Sequence, residues 1–98
     1  MNKKEKIKRM KDVRSSIDQV DDKILPLMVR RSKLVNMALE LKSYKNEIID
    51  KKRINQILKK IGSKSKKMKA NPKLIKSIWK DMIQNFIEHE KKEFKKRK

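Results

Sequence analysis

An all-α fold of three helices (long, short, long) is what this chain of 98 residues predicts. Three observations carry that reading. Apolar residues recur at i, i+3/i+4 and i+7 over long stretches, the period of a helix with one buried face. One glycine and two prolines leave little to interrupt those stretches. No segment shows the two-residue alternation of a half-buried strand, and there is no internal repeat.

The first helix is read over residues 12–45, with residues 1–11 as a basic lead-in frayed at its start. Asp12 is a candidate N-cap, although Ile7 and Met10 would let the helix begin earlier. Val13, Ile17, Val20, Ile24, Leu27/Met28, Leu34/Val35, Ala38 and Leu41 form its stripe. Pro26 removes a backbone donor and crowds the carbonyl of Asp22, so a kink is expected there. Two helices meeting near residue 25 are the alternative; the unbroken phase of the stripe favours the kink.

Residues 45–50 break the period. Asp50 then reads as the N-cap of a second helix, over 50–61, with Gly62 as its stop. Its apolar face is Ile54, Ile57, Leu58 and Ile61, and GSKSKKMKA follows as a polar connector. Asn71-Pro72, a cap followed by proline at the first helical position, opens a third helix over 71–95. That helix presents Leu74/Ile75, Ile78/Trp79, Met82/Ile83 and Phe86/Ile87, and the series then reaches Glu90 and Phe94. The whole reads as a single domain. A first helix about 50 Å long is more than two shorter ones can cover, so self-association as a symmetric dimer is expected.

Composition excludes several kinds of chemistry. The chain has no cysteine, hence no disulfide framework or thiolate metal site, and His89 is its single histidine. No metal-ligand spacing is present and no cofactor is expected. There is no apolar run of membrane-spanning length, and MNKKEKIKRMK lacks the apolar core of a signal peptide. A cytoplasmic protein without a membrane partner is the expectation.

The net charge of +19 raises a nucleic-acid reading. Residues 2–11, 59–69 and 91–98 hold 18 of the 31 cations and two of the 12 acids, which makes +16 of that +19. The excess thus lies in two termini and a connector, and 25 of the 31 cations are lysine. Solvated lysine-rich ends explain it, and no recognition motif or aromatic stacking platform accompanies the lysines. No specific nucleic-acid partner is expected.

Three charged residues occupy apolar positions. Steps of three and four from Ile24 and Met28 give Arg31, Val35, Ala38 and Lys42, so Arg31 and Lys42 sit where core residues belong. On an ideal helix Lys42 lies within about 20° of Arg31 and roughly 16 Å further along the axis. Glu90 interrupts the third helix in the same way. A buried Arg–Glu or Lys–Glu bridge that fixes helix register is one explanation. Two cations against one acid leave a surplus positive charge, which tips the reading toward an anionic ligand. Arg14 and Arg53 are weaker indicators; Arg53 falls in the first turn of a helix, where the dipole disfavours a cation.

Val13-Arg14-x-x-Ile17-Asp18-x-x-Asp21, Ile24, Leu27, Arg31, Val35, Lys42 and Asp50-x-x-Arg53 together resemble the signature of the all-α, type II (AroQ-type) chorismate mutases. Ile78-Trp79-x-x-Met82-Ile83-x-x-Phe86-Ile87-x-x-Glu90 is similar to that family's third helix, so the resemblance runs from residue 13 to about residue 90. It implies an intertwined three-helix homodimer with two active sites inside the bundle. It also implies a dicarboxylate enol-pyruvyl substrate, chorismate, rearranged to prephenate for aromatic amino acid biosynthesis. Isochorismate–pyruvate lyase, which releases salicylate and pyruvate, shares the fold.

Carried over, Arg31 and the partner subunit's Arg14 would grip the two carboxylates, with Arg53 adding positive charge. Lys42 would touch a carboxylate and the ether oxygen, and Glu90 would meet that oxygen from the other side. Asp50, Ile54 and Phe86 complete the implied substrate-binding set. Helix arithmetic agrees on one point. Arg14 lies about 25 Å from Arg31 and about 100° around the axis, so it cannot reach the same small ligand from its own chain. The [3,3] rearrangement needs no nucleophile or metal, only fixed cations and a donor at the ether oxygen and a pocket that holds the reactive conformer.

Two positions depart from the family pattern. Glu90 is often Gln there. A carboxylate would repel the developing oxyanion, so Glu90 is expected to act in its protonated form, favoured by Phe86 and Ile87 and opposed by a nearby Lys42. Ile54 stands where the mutases usually carry a Glu for the ring hydroxyl, and the lyases an apolar residue. The intact Arg–Arg–Lys–Arg frame favours the mutase; Ile54 keeps the lyase as the runner-up.

Overall fold

Asn2 starts the chain's first helix. Its side-chain oxygen accepts from the Glu5 amide at 2.8 Å and its carbonyl from Lys6 at 3.0 Å. The computed structural model describes residues 1–97, in which α1 spans Lys3–Glu40, α2 Lys51–Lys67 and α3 Pro72–Lys95. One 3-10 turn, Lys45–Glu47, lies between α1 and α2. The fold is all-α, and no strand occurs among the described residues.

Several boundaries differ from the sequence reading. The lead-in is helical, because Asn2 and not Asp12 caps α1. The helix continues through Pro26, so the two-helix alternative is set aside. It stops at Glu40, short of Lys45. Its last amides, from Leu41 and Lys42, bond three residues back to Ala38 and Leu39, and this tightened turn ends the helix. Glu47 then takes the Ser43 and Tyr44 amides on one carboxylate oxygen, at 2.6 and 2.9 Å, and holds the 3-10 turn.

Gly62 does not stop α2. Lys76 crosses the helix there, with its Cδ 2.8 Å from where a Cβ would sit. Much of the expected connector is therefore helix, and α2 ends at a Schellman cap. The Ala70 amide bonds Ser65 O and the Lys69 amide bonds Lys66 O, with Lys69 in the left-handed region at φ 59°. Asp50 accepts from the Arg53 amide at the start of α2, and Asn71 accepts from the Lys73 and Leu74 amides at the start of α3.

Contacts along the chain divide it into two units, Met1–Leu34 and a second that begins at Val35. The first is the greater part of α1. Its stripe has no cover within the unit: Val13, Ile17, Val20 and Ile24 each expose about half of their surface. A single helix cannot bury its own apolar face, so such a segment has no core.

The second unit has one. Leu39 from the last turn of α1, Ile48 from the connection, and Ile83 and Ile87 from α3 are buried together. Ile54, Ile57, Leu58, Trp79 and Phe94 pack against them, half-buried. α2 and α3 are partners along their lengths, which follows from the facing stripes Ile54/Ile57/Leu58/Ile61 and Ile75/Trp79/Ile83/Ile87.

Candidate active site

Lys42 lies just past the end of α1, not on a continuation of its stripe, so the helical phase linking it to Arg31 does not hold at that end. Its backbone is nevertheless fixed. The Lys42 amide bonds Leu39 O at 3.0 Å, and the Lys42 carbonyl accepts from Arg97 Nη1 at 2.6 Å. From this anchor the ammonium reaches α3 and donates to Glu90 Oε2 at 2.8 Å.

Glu90 is 7% exposed, one turn from buried Ile87. A carboxylate so placed needs a partner, and Lys42 supplies a charge-assisted bond. The register-fixing bridge anticipated as one explanation is therefore present. Lys42 keeps roughly a quarter of its side chain accessible, 23%, so the pair sits at an edge where a ligand could meet it.

The remaining expected residues divide by unit. In the second, Ile54 rests against the core cluster and Phe86 is half-buried on α3, one turn before Glu90. Arg53 is exposed in the first turn of α2, its amide held by Asp50, whose carboxylate is thereby engaged as a cap. In the first unit, Arg14 is exposed and Arg31 half-buried, both on α1. Lys42, Glu90 and Ile54 are thus gathered around one apolar cluster, while Arg14 and Arg31 belong to the other unit.

The stretch that carries the resemblance is also the stretch that a family model matches. Chorismate mutase type II aligns over residues 13–91. The chain belongs to the chorismate mutase type II family. Comparison with curated proteins and with solved structures gives no match. Chorismate mutase-type activity on a small-molecule substrate is what membership in this family supports. No helix among the described residues is long and apolar enough to cross a membrane, and none of their His, Asp and Glu side chains gather as a metal-holding group.

Two features of the site were not legible in the sequence. Arg97, read as part of a solvated basic end, donates to Lys42 O and Leu39 O and lies over the Phe94 ring at 4.9 Å. Asn36 meets His89 Nε2 at 2.9 Å and ties the last turns of α1 to α3 beside the pair. The first had one signal, a cation placed beyond a helix whose partner helix ends in bare carbonyls. The second had none. Close by, Lys96 bonds Glu93 at 3.0 Å and holds that exposed carboxyl below its usual range.

Proposed function

We propose that this member of the chorismate mutase type II family is a homodimeric chorismate mutase that rearranges chorismate to prephenate in a cationic pocket. The supporting observation is the Lys42–Glu90 pair, a cation and an acid at the edge of an apolar cluster, positions that the resemblance assigns to the reacting ether oxygen. Two copies pairing through α1 would cover the stripe from Val13 to Ile24 that one copy leaves open.

In this reading Arg31 and the partner subunit's Arg14 bind the substrate carboxylates, and Arg53 adds positive charge. Asp50 holds the start of α2, which carries Arg53 and Ile54, and Phe86 and Ile54 shape the apolar wall. As the C–O bond breaks and the C–C bond forms, negative charge builds on the ether oxygen. Lys42 stabilises it from one side; Glu90 donates a hydrogen bond from the other when it carries a proton. Cations fixed before the substrate arrives need no reorganisation at the moment of reaction, and the closed pocket favours the folded conformer.

One observation favours a second reading. Ile54 faces the core cluster where a mutase would offer a carboxylate to the ring hydroxyl, and an apolar residue there suits isochorismate–pyruvate lyase, whose elimination uses the same cations. Incubating the purified protein separately with chorismate and isochorismate, and following prephenate and salicylate, separates the two. Prephenate at the higher catalytic efficiency makes it a mutase. Predominant salicylate makes it a lyase, and neither product overturns the active-site reading.

A further inference from the structure

The reactive end of Lys42 belongs to a residue outside any helix, yet its backbone is held from two directions. Its own amide closes the last turn of α1 on Leu39 O. Its carbonyl, and that of Leu39, receive the two arms of the Arg97 guanidinium. Carbonyls at the C-terminal end of a helix carry partial negative charge, and Leu39 O has a second lone pair beyond the one that the Lys42 amide uses, so a guanidinium there is favourable. A planar fork suits two carbonyls better than an ammonium does. The Phe94 ring lies against the same guanidinium at 4.9 Å and limits its freedom.

We infer that Arg97 is a positioning residue for Lys42: it clamps the α1 terminus so that the Lys42 ammonium emerges toward Glu90 and the reacting oxygen. The inference rests on the role proposed above for Lys42. Arg97 lies beyond the stretch matched by the family model, residues 13–91, while the two carbonyls it holds lie within it. Without it, the backbone of residues 41–44 would be held by Glu47 and the tightened last turn, and the ammonium by Glu90 only. The base of the Lys42 side chain would then be free to shift, and electrostatic stabilisation falls steeply when a charge is loosely placed.

The experiment compares the parent with Arg97→Ala, Arg97→Lys and the charge-matched control Lys95→Ala. Two quantities are read on the full chain: steady-state kinetics on chorismate and isochorismate, and the rate at which Lys42 is reductively methylated, by mass spectrometry. Arg97→Ala is expected to lower kcat about tenfold with KM changed less than about twofold, the pattern of a displaced transition-state group. Lys42 methylation should rise severalfold. Arg97→Lys should recover part of both, and Lys95→Ala should match the parent. Unchanged Lys42 methylation in Arg97→Ala overturns the inference, and so does an unchanged kcat in an active parent. A parent inactive on both substrates removes the proposed function instead, and the methylation rates still decide whether Arg97 holds Lys42.

Discussion

Lys42 Nζ and Glu90 Oε2, from residues 48 positions apart in the chain, lie 2.8 Å from one another. The bond joins the end of α1 to the far half of α3 and packs the second unit, and the reaction proposed requires the substrate's ether oxygen to enter between its two partners.

Its energetic weight is measurable. Lys42→Met leaves a buried carboxylate without its cation and should cost about 2 kcal/mol, less than for a fully buried pair because Lys42 is partly solvated. Adding Glu90→Leu should return much of that loss. Urea unfolding of the two single variants and the double, at one fixed chain concentration, gives the coupling. Additive costs would mean that the pair is not coupled.

Glu90 can be tested through its amide. Glu90→Gln offers a neutral N–H to the ether oxygen, where a carboxylate would oppose the charge developing there, so kcat should be kept or raised, whereas Glu90→Ala should lower it about tenfold. An amide no more active than alanine would remove Glu90 from the reaction.

The open stripe of α1 leads to a third expectation. Sedimentation equilibrium should find a two-chain mass for the parent at micromolar concentration. Val20→Glu places a charge in the middle of that stripe and should shift the population toward single chains, with activity lost in parallel. A parent that sediments as one chain would contradict the homodimer.

Lys69 offers a test of local conformation. A non-glycine residue at φ 59° pays a steric cost at the cap of α2. Lys69→Gly should stabilise the fold by about 0.5–1 kcal/mol, the relief being partly offset by the greater freedom of glycine in the unfolded chain. A higher thermal midpoint with unchanged activity is the expected result.

Much of this architecture was legible before any coordinates. Asn71-Pro72 and Asp50 are local signals whose capping bonds use side chains two or three residues from their targets, so sequence alone exposes them. The third stripe, with Glu90 interrupting it, marked a buried acid for the same reason. What escaped was non-local. Gly62 reads as a stop until Lys76 is seen crossing it, and the end of α1 depends on Glu47 and on Arg97, which comes from the other end of the described chain. The start of α1 is local, since Asn2-x-x-Glu5 is itself a capping pattern, but it lies in a lysine-rich segment whose like charges favour fraying. Arg14 and Arg31 were placed on α1 by periodicity, and both lie there.

The uncovered stripe from Val13 to Ile24 bears on how the protein is made. A copy fresh from the ribosome displays several turns of contiguous apolar helix, a surface of the kind that binds holding chaperones and aggregates when left alone. If the proposed homodimer covers that stripe, survival is a race between encounter with a sister copy and capture by something else, and cells that express the protein sparsely would lose proportionately more of it to quality control.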